Sequence, residues 1–169
     1  HSASFDIFQF GEVDRTISSR VQRFHKALLD AGCMPEVSSD IITELWRKFT
    51  MQASLASFCA LTRLNFGQIR ENAECASLFR GSIAETAAVG KTIKSDLPDD
   101  LADRAWDFVQ KIPPDAHASM LDDLNRGKPI EIDYLSGEVV KLGRRHNVPT
   151  PIHEVFLSLL SPYRNGFLA

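Results

Sequence analysis

Ile41-Ile-Thr-Glu-Leu-Trp-Arg-Lys-Phe-Thr-Met-Gln-Ala-Ser-Leu-Ala-Ser-Phe-Cys-Ala-Leu61 is the stretch whose reading decides the fold class. Its apolar residues recur at the three- and four-residue spacing of a helix, and Ser38-Ser39-Asp40 supplies a cap just before it. It is the most hydrophobic helix of the chain, and Arg63 to Gly67 reads as its connection to the next. Upstream, Val21, Phe24, Leu28 and Leu29 give the same period over Thr16 to Ala31, with Gly32 as the stop.

Downstream the pattern stays helical. A third helix is predicted over about Asn72 to Lys94, carrying Ala76, Leu78, Phe79, Ile83, Ala87 and Val89 among its apolar positions. A fourth starts within Asp96 to Asp100 and ends near Ile112, before Pro113-Pro114. A fifth covers about Asp115 to Asn125 and stops at Gly127, and a sixth begins after Pro129, a residue suited to a first helical turn. Pro149 and Pro151 divide it from a last helix over about Ile152 to Leu160. Only the first dozen residues differ: Phe5 and Ile7 fall on one alternation and Phe8 and Phe10 on the other, the mark of one short strand. A lone strand cannot pair with itself, and no later segment reads as its partner, so the partner is expected outside this chain. The prediction is an all-α, multi-helix domain over 13–169, preceded at 1–12 by a strand and linker stub.

Composition narrows the function. With 169 residues and 44% hydrophobic content there is room for one sizeable core, while a net charge of −3 gives no cationic field for tracking phosphates, so no nucleic acid is expected. Cys33, Cys59 and Cys75 form no CxxC pair and leave an odd count, which speaks against a disulfide framework or zinc and for a reducing cytoplasm. No apolar run approaches the roughly 20 residues of a membrane span. His25, His117, His146 and His153 lack ligand spacing, so no metal is expected and each reads as a surface or satisfied structural histidine. Trp46 and Trp106 sit at core spacing and read as packing.

Lys48 is the oddity. At 100° per residue it shares a stripe with Ile41, Leu45, Leu55 and Cys59, with Gln52 close beside, whereas Thr43, Arg47, Thr50, Ser54 and Ser57 form the polar side. A lysine placed there is half-buried or lines a cleft: either its stem covers apolar surface while the ammonium reaches water, or it holds an anion or donates a proton to a developing alkoxide. Glu131 and Asp133, after Pro129, suit the positive end of a helix dipole, though a carboxylate near Lys48 would instead tune it or accept from substrate hydroxyls. Ser119 and Asp123, four apart, share a helix face that reads as solvated.

Three segments go further in combination. Leu45-Trp-Arg-Lys-Phe49, Ser119-Met-Leu-Asp-Asp-Leu-Asn-Arg-Gly-Lys-Pro-Ile-Glu-Ile-Asp133 and Val148-Pro-Thr-Pro151 stand in an order and spacing that resemble the ketopantoate reductase (2-dehydropantoate 2-reductase) family. Phe10-Gly-Glu12, Gly67-Gln-Ile-Arg70 and Leu135-Ser-Gly137 support the resemblance, which covers nearly the whole chain. It implies the helical C-terminal half of a two-domain enzyme, similar to the 6-phosphogluconate dehydrogenase C-terminal-like fold. The substrate would sit between that half and an N-terminal Rossmann domain. The reaction implied is reduction of a 2-keto acid by NADPH in pantothenate biosynthesis, with a possible homodimer.

By the same resemblance Lys48 is the catalytic general acid, Ser119, Glu131 and Gln52 bind substrate, Glu131 also lies by the cofactor, and Asp123 supports that region. The chain departs from the family at Gln52 and Ala56, where well-studied members carry asparagines, and at Ala116, before the serine. These changes remove side-chain amides that would meet a polar substrate. The alternatives that follow are a reductase of the same fold for another 2-keto acid, or a non-catalytic helical dimerisation module. No GxGxxG occurs among the nine glycines, so the chain by itself is expected neither to bind NADPH tightly nor to turn over.

Overall fold

A computed structural model describes residues 7–167. It falls into two compact units that divide between Trp46 and Arg47. The first contains β1 (Ile7–Phe10), α1 (Ser19–Asp30) and β2 (Met34–Val37). Ser18 caps α1 by accepting from Val21 N–H at 3.2 Å. The two strands are parallel, with Ile7 opposite Met34 and Phe10 opposite Val37.

This pairing corrects the expectation of an unpartnered strand. A parallel pair needs a crossover, which α1 provides, and Pro35 in the middle of β2 hides that strand from a reading by propensity. Phe5 and the rest of 1–6 in the predicted stub lie outside the described residues. Just past β1, buried Glu12 accepts from Ser18 Oγ at 2.5 Å and from Arg20 Nε at 2.6 Å. These bonds, Arg20 foremost and then Ser18, hold its carboxyl down to about 2.

Helices make up the rest: α2 (Ile41–Thr62), α3 (Phe66–Glu71), α4 (Ala73–Ile93), α5 (Leu101–Lys111), α6 (Ser119–Asn125), α7 (Ser136–His146) and α8 (Pro151–Leu160), closed by a 3₁₀ turn at Ser161–Tyr163. The described residues are thus all-α apart from the short β1 and β2 pair. The core of the second unit draws Leu55, Phe58 and Cys59 from α2, Phe66 and Ile69 from α3, Phe79 and Ile83 from α4, and Ala105 and Val109 from α5. Leu121 of α6 and Phe156 of α8 complete it. Phe58 meets Phe79 and Phe156 edge-on, with ring centroids 5.5 and 5.9 Å apart. Trp106 packs on the same cluster, 6.0 Å from Phe79. Asp40 caps α2 by accepting from Thr43 N–H at 3.1 Å, as the sequence suggests.

Three boundaries differ from the sequence reading. Where a plain connection was expected, α3 forms, because Asn65 and Gln68 make a reciprocal capping box. Its first N–H groups are taken by the 113–118 loop: Phe66 N donates to Ala116 O at 3.0 Å and Gly67 N to Pro114 O at 2.8 Å. A Cβ on Gly67 would stand 2.9 Å from Pro114 Cβ, so this close approach requires glycine. That engagement keeps 115–118 out of a helix, and α6 starts at Ser119 instead of Asp115. The third difference is α7, which begins at Ser136 and not just after Pro129. Ile130 and Ile132 are both buried and Glu131 between them is exposed, an extended alternation that a helix cannot produce.

Candidate active site

The polar side of α2 and the start of its apolar stripe depart from the sequence expectation, while Leu55 and Cys59 further along that stripe are buried as predicted. Thr43, Thr50, Ser54 and Ser57, read as the polar side, are buried, while Leu45 is 54% exposed and Lys48 is exposed. Small hydroxyl residues allow close packing: Ser57 Oγ lies 2.7 Å from Ser136 Oγ of α7. From Ala53 to Ala60 the helix is buried all round, so its charged, accessible part is confined to the first half.

Lys48 belongs to a stripe that continues through half-buried Gln52 and buried Leu55 to buried Cys59. Eleven residues separate the ends, about 16 Å along the axis. At the far end Cys59 sulfur accepts the backbone N–H of Ala118, the residue preceding Ser119. Burial pushes the Cys59 thiol up to about 11, with the Ala118 bond opposing, so this cysteine is a packing group. The stripe therefore runs from the candidate lysine, past Gln52, to the start of α6.

Ser119 is the first residue of α6 and is exposed, and Asp123, one turn on, is half-buried. The neighbouring Asp122, not Asp123, pairs with His117, at 3.0 Å, and that bond depresses the Asp122 carboxyl. Glu131 is not in a helical first turn. Its carbonyl accepts from Tyr134 N at 3.0 Å and Leu135 N at 3.1 Å, closing a turn ahead of α7 from which the carboxylate faces outward. Ala56 is 1% exposed and Ala116 packs against the core, so neither position presents a polar group. Among the described residues no three histidine, cysteine, aspartate or glutamate side chains gather as a metal site. Among them, too, no helix is long and apolar enough to cross a membrane.

A buried polar chain holds these helices together; its centre, His153, is a satisfied structural histidine, one of the two readings the sequence leaves open for it, and its partners are what sequence reasoning missed. His153 of α8 is fully buried, with Nδ1 2.9 Å from Ser136 Oγ and Nε2 2.9 Å from Thr86 Oγ1 and 3.0 Å from Ser82 O. Glu85 of α4 accepts from Ile152 N at 2.9 Å and His153 N at 3.1 Å, capping α8 from a neighbouring helix. The available signal was weak: Ser57 looked like part of a solvated face, and Glu85 like any polar residue of a long helix.

Comparison with known proteins adds an independent line. A family model described as "Ketopantoate reductase PanE/ApbA C terminal" matches residues 40–164. A 2-dehydropantoate 2-reductase of Mycobacterium tuberculosis is 32% identical over 145 residues, covering 86% of this chain and 48% of that protein. The crystal structure of a PanE/ApbA family ketopantoate reductase from Ralstonia eutropha superposes with a TM-score of 0.82 at 25% identity, over 94% of this chain and 51% of that one. A dimeric ketopantoate reductase from Staphylococcus aureus, 21% identical with a TM-score of 0.82 over 93% of this chain and 54% of its own, shares the fold. The chain spans about half the length of the curated relatives it matches. Motif order, helical architecture and these likenesses agree, and the chain belongs to the ketopantoate reductase family, matching its C-terminal domain.

Proposed function

We propose that this chain is the substrate-binding, lysine-bearing part of an NADPH-dependent reductase that converts 2-dehydropantoate, or a close 2-keto acid, to the 2-hydroxy acid. It does so in the cytoplasm, in pantothenate biosynthesis, as a homodimer. The helical domain of 13–169 works with a Rossmann domain of the same protein, and without that domain it is inactive. The observation that carries this reading is the α2 stripe: Lys48 stands exposed at one end, Gln52 follows, and the N–H preceding Ser119 is anchored at the other.

A nicotinamide cofactor, held by the Rossmann domain, would supply the hydride for the keto carbon, so that negative charge would develop on the keto oxygen. Lys48 meets that charge and gives up a proton from Nζ. Ser119 and Gln52 bind the substrate's polar groups, and Asp123 supports the start of α6. Glu131, an outward carboxylate on a pinned turn, suits an acceptor for hydroxyls of substrate and cofactor. In the full-length protein, Lys48→Ala lowers the reduction rate by roughly 10²–10⁴-fold. Unchanged NADPH oxidation would overturn the role of Lys48.

A second reading, a reductase for a different 2-keto acid, is favoured by Ala56 and Ala116, which offer only methyl groups. Comparing kcat/KM for 2-dehydropantoate with that for shorter, unbranched keto acids separates the two.

A further inference from the structure

The turn bearing Glu131 is fastened from the C-terminal end of the chain. Ile130 N–H donates to the carbonyl of Arg164 at 3.2 Å, and the Arg164 guanidinium reaches Asp133 Oδ1 at 3.3 Å. One residue therefore grips the chain immediately before and two residues after Glu131. The next contact lies further back: Phe167 N–H donates to Gly127 O at 3.3 Å. Gly166, at a φ of +101°, lets the backbones approach so closely that a Cβ there would stand 2.6 Å from Gly127 O.

On the opposite side, buried Ile130 and Ile132 anchor the turn in the core, and Gly137 N–H donates to Ile132 O at 2.9 Å. Glu131 is thus the outward residue of a segment held by the core beneath and by Arg164 alongside. The ion pair is exposed on both partners, at 44% and 46%, and exposed pairs contribute little to global stability. A small contribution to folding combined with two grips around one acidic side chain fits local alignment better than bulk stabilisation.

We propose that Arg164 is a positioning residue for Glu131, acting through the turn it clamps; this rests on the role given to Glu131 above. The test uses the full-length protein with NADPH and 2-dehydropantoate. Glu131→Gln sets the reference change in KM and kcat. Arg164→Ala should reproduce the same KM-against-kcat split in milder form, about tenfold in kcat/KM, with the melting temperature nearly unmoved. Arg164→Lys should recover most of the loss, and Gly166→Ala should show the same split with Arg164 intact. In the Glu131→Gln background, Arg164→Ala should cost less than about twofold more, because the group it aligns is gone. Losses that multiply across the two variants, or a fall in kcat tracking lost folded protein, overturn the proposal while leaving Glu131 its role. An unaltered Glu131→Gln enzyme removes both.

Discussion

Nδ1 of His153 lies 2.9 Å from the hydroxyl of Ser136, and the direction of this bond is set at the other nitrogen of the ring. The Ser82 carbonyl can only accept, so the Nε2 beside it carries the proton and Nδ1 must accept from Ser136. Ser136 oxygen then accepts from Ser57, linking α2, α7, α8 and α4 through one neutral imidazole.

Acid should weaken this arrangement. Burial, opposed by the bond to Ser82, lowers His153 from 6.5 to about 4. Between those two values the unfolded chain binds a proton that the folded chain does not. The contribution is therefore intact above pH 6.5 and is lost as pH falls toward 4, by about 3 kcal/mol in all. Urea midpoints measured across that interval for the wild type and His153→Gln test this. The variant is less stable at pH 7, yet its midpoint falls less steeply with acid, and parallel slopes would exclude His153 as the titrating group.

Glu85 leads to the next prediction. It caps α8 with both carboxylate oxygens, and burial raises its pKa despite the bonds from Ile152 and His153. Glu85→Ala leaves two helix N–H groups without their acceptor and should cost about 1–2 kcal/mol at neutral pH. Glu85→Gln keeps one acceptor oxygen and should lose less. Because burial raises the Glu85 carboxyl, the folded chain takes up its proton before the unfolded chain does, so the wild type should gain stability relative to the non-titrating Glu85→Gln as pH falls from neutral. Chemical denaturation at neutral and mildly acidic pH would show it, and a difference that shifts against the wild type in acid would contradict a buried, titrating cap.

Much of this was legible in the sequence, and what was not has physical causes. Helical periodicity placed α2 and α4 within one or two residues, because a long amphipathic pattern is a redundant signal. Boundaries failed where tertiary contacts decide them: the 113–118 loop gives up helix to cap α3, and Arg164 with two buried isoleucines delays α7. Of the proposed site residues, Lys48, Ser119 and Glu131 are exposed, whereas the helical stripe predicts a half-buried or cleft-lining Lys48. By polarity the threonines and serines of α2 form a polar side, although their small size suits them to close helix packing. No periodicity rule distinguishes a hydroxyl facing water from one facing Ser136.

Thr50 Oγ1 and Ser54 Oγ, on that same face, are buried without a hydrogen-bond partner among the described residues. An unpaired buried hydroxyl costs about 1–3 kcal/mol in lost hydration. Thr50→Val preserves shape and Ser54→Ala removes one atom, so each should raise stability by about 1 kcal/mol. Differential scanning calorimetry of the two variants provides the measurement. A lowered melting temperature in both would mean that these hydroxyls are satisfied in solution.

Arg70 belongs to the Gly67-Gln-Ile-Arg70 segment, and its Nη1 donates to three carbonyls at the end of α5: Val109 at 2.7 Å, Gln110 at 3.2 Å and Ile112 at 2.7 Å. Val109 O also takes the Ile112 N–H at 3.3 Å, while the Gln110 and Ile112 carbonyls lie at the end of the helix, where a cation also meets the negative end of the helix dipole. One side chain thus ties α3 to α5 by charge-assisted bonds, each stronger than a neutral pair. Arg70→Ala should destabilise the protein by about 2 kcal/mol, and Arg70→Lys by less, since a single ammonium can still reach part of the set. The loss should be local as well as global. Amide hydrogen exchange at the end of α5 should quicken in Arg70→Ala while α8, capped separately by Glu85, keeps its protection. Equal acceleration in both helices would show that Arg70 supports the core as a whole and not this one helix end.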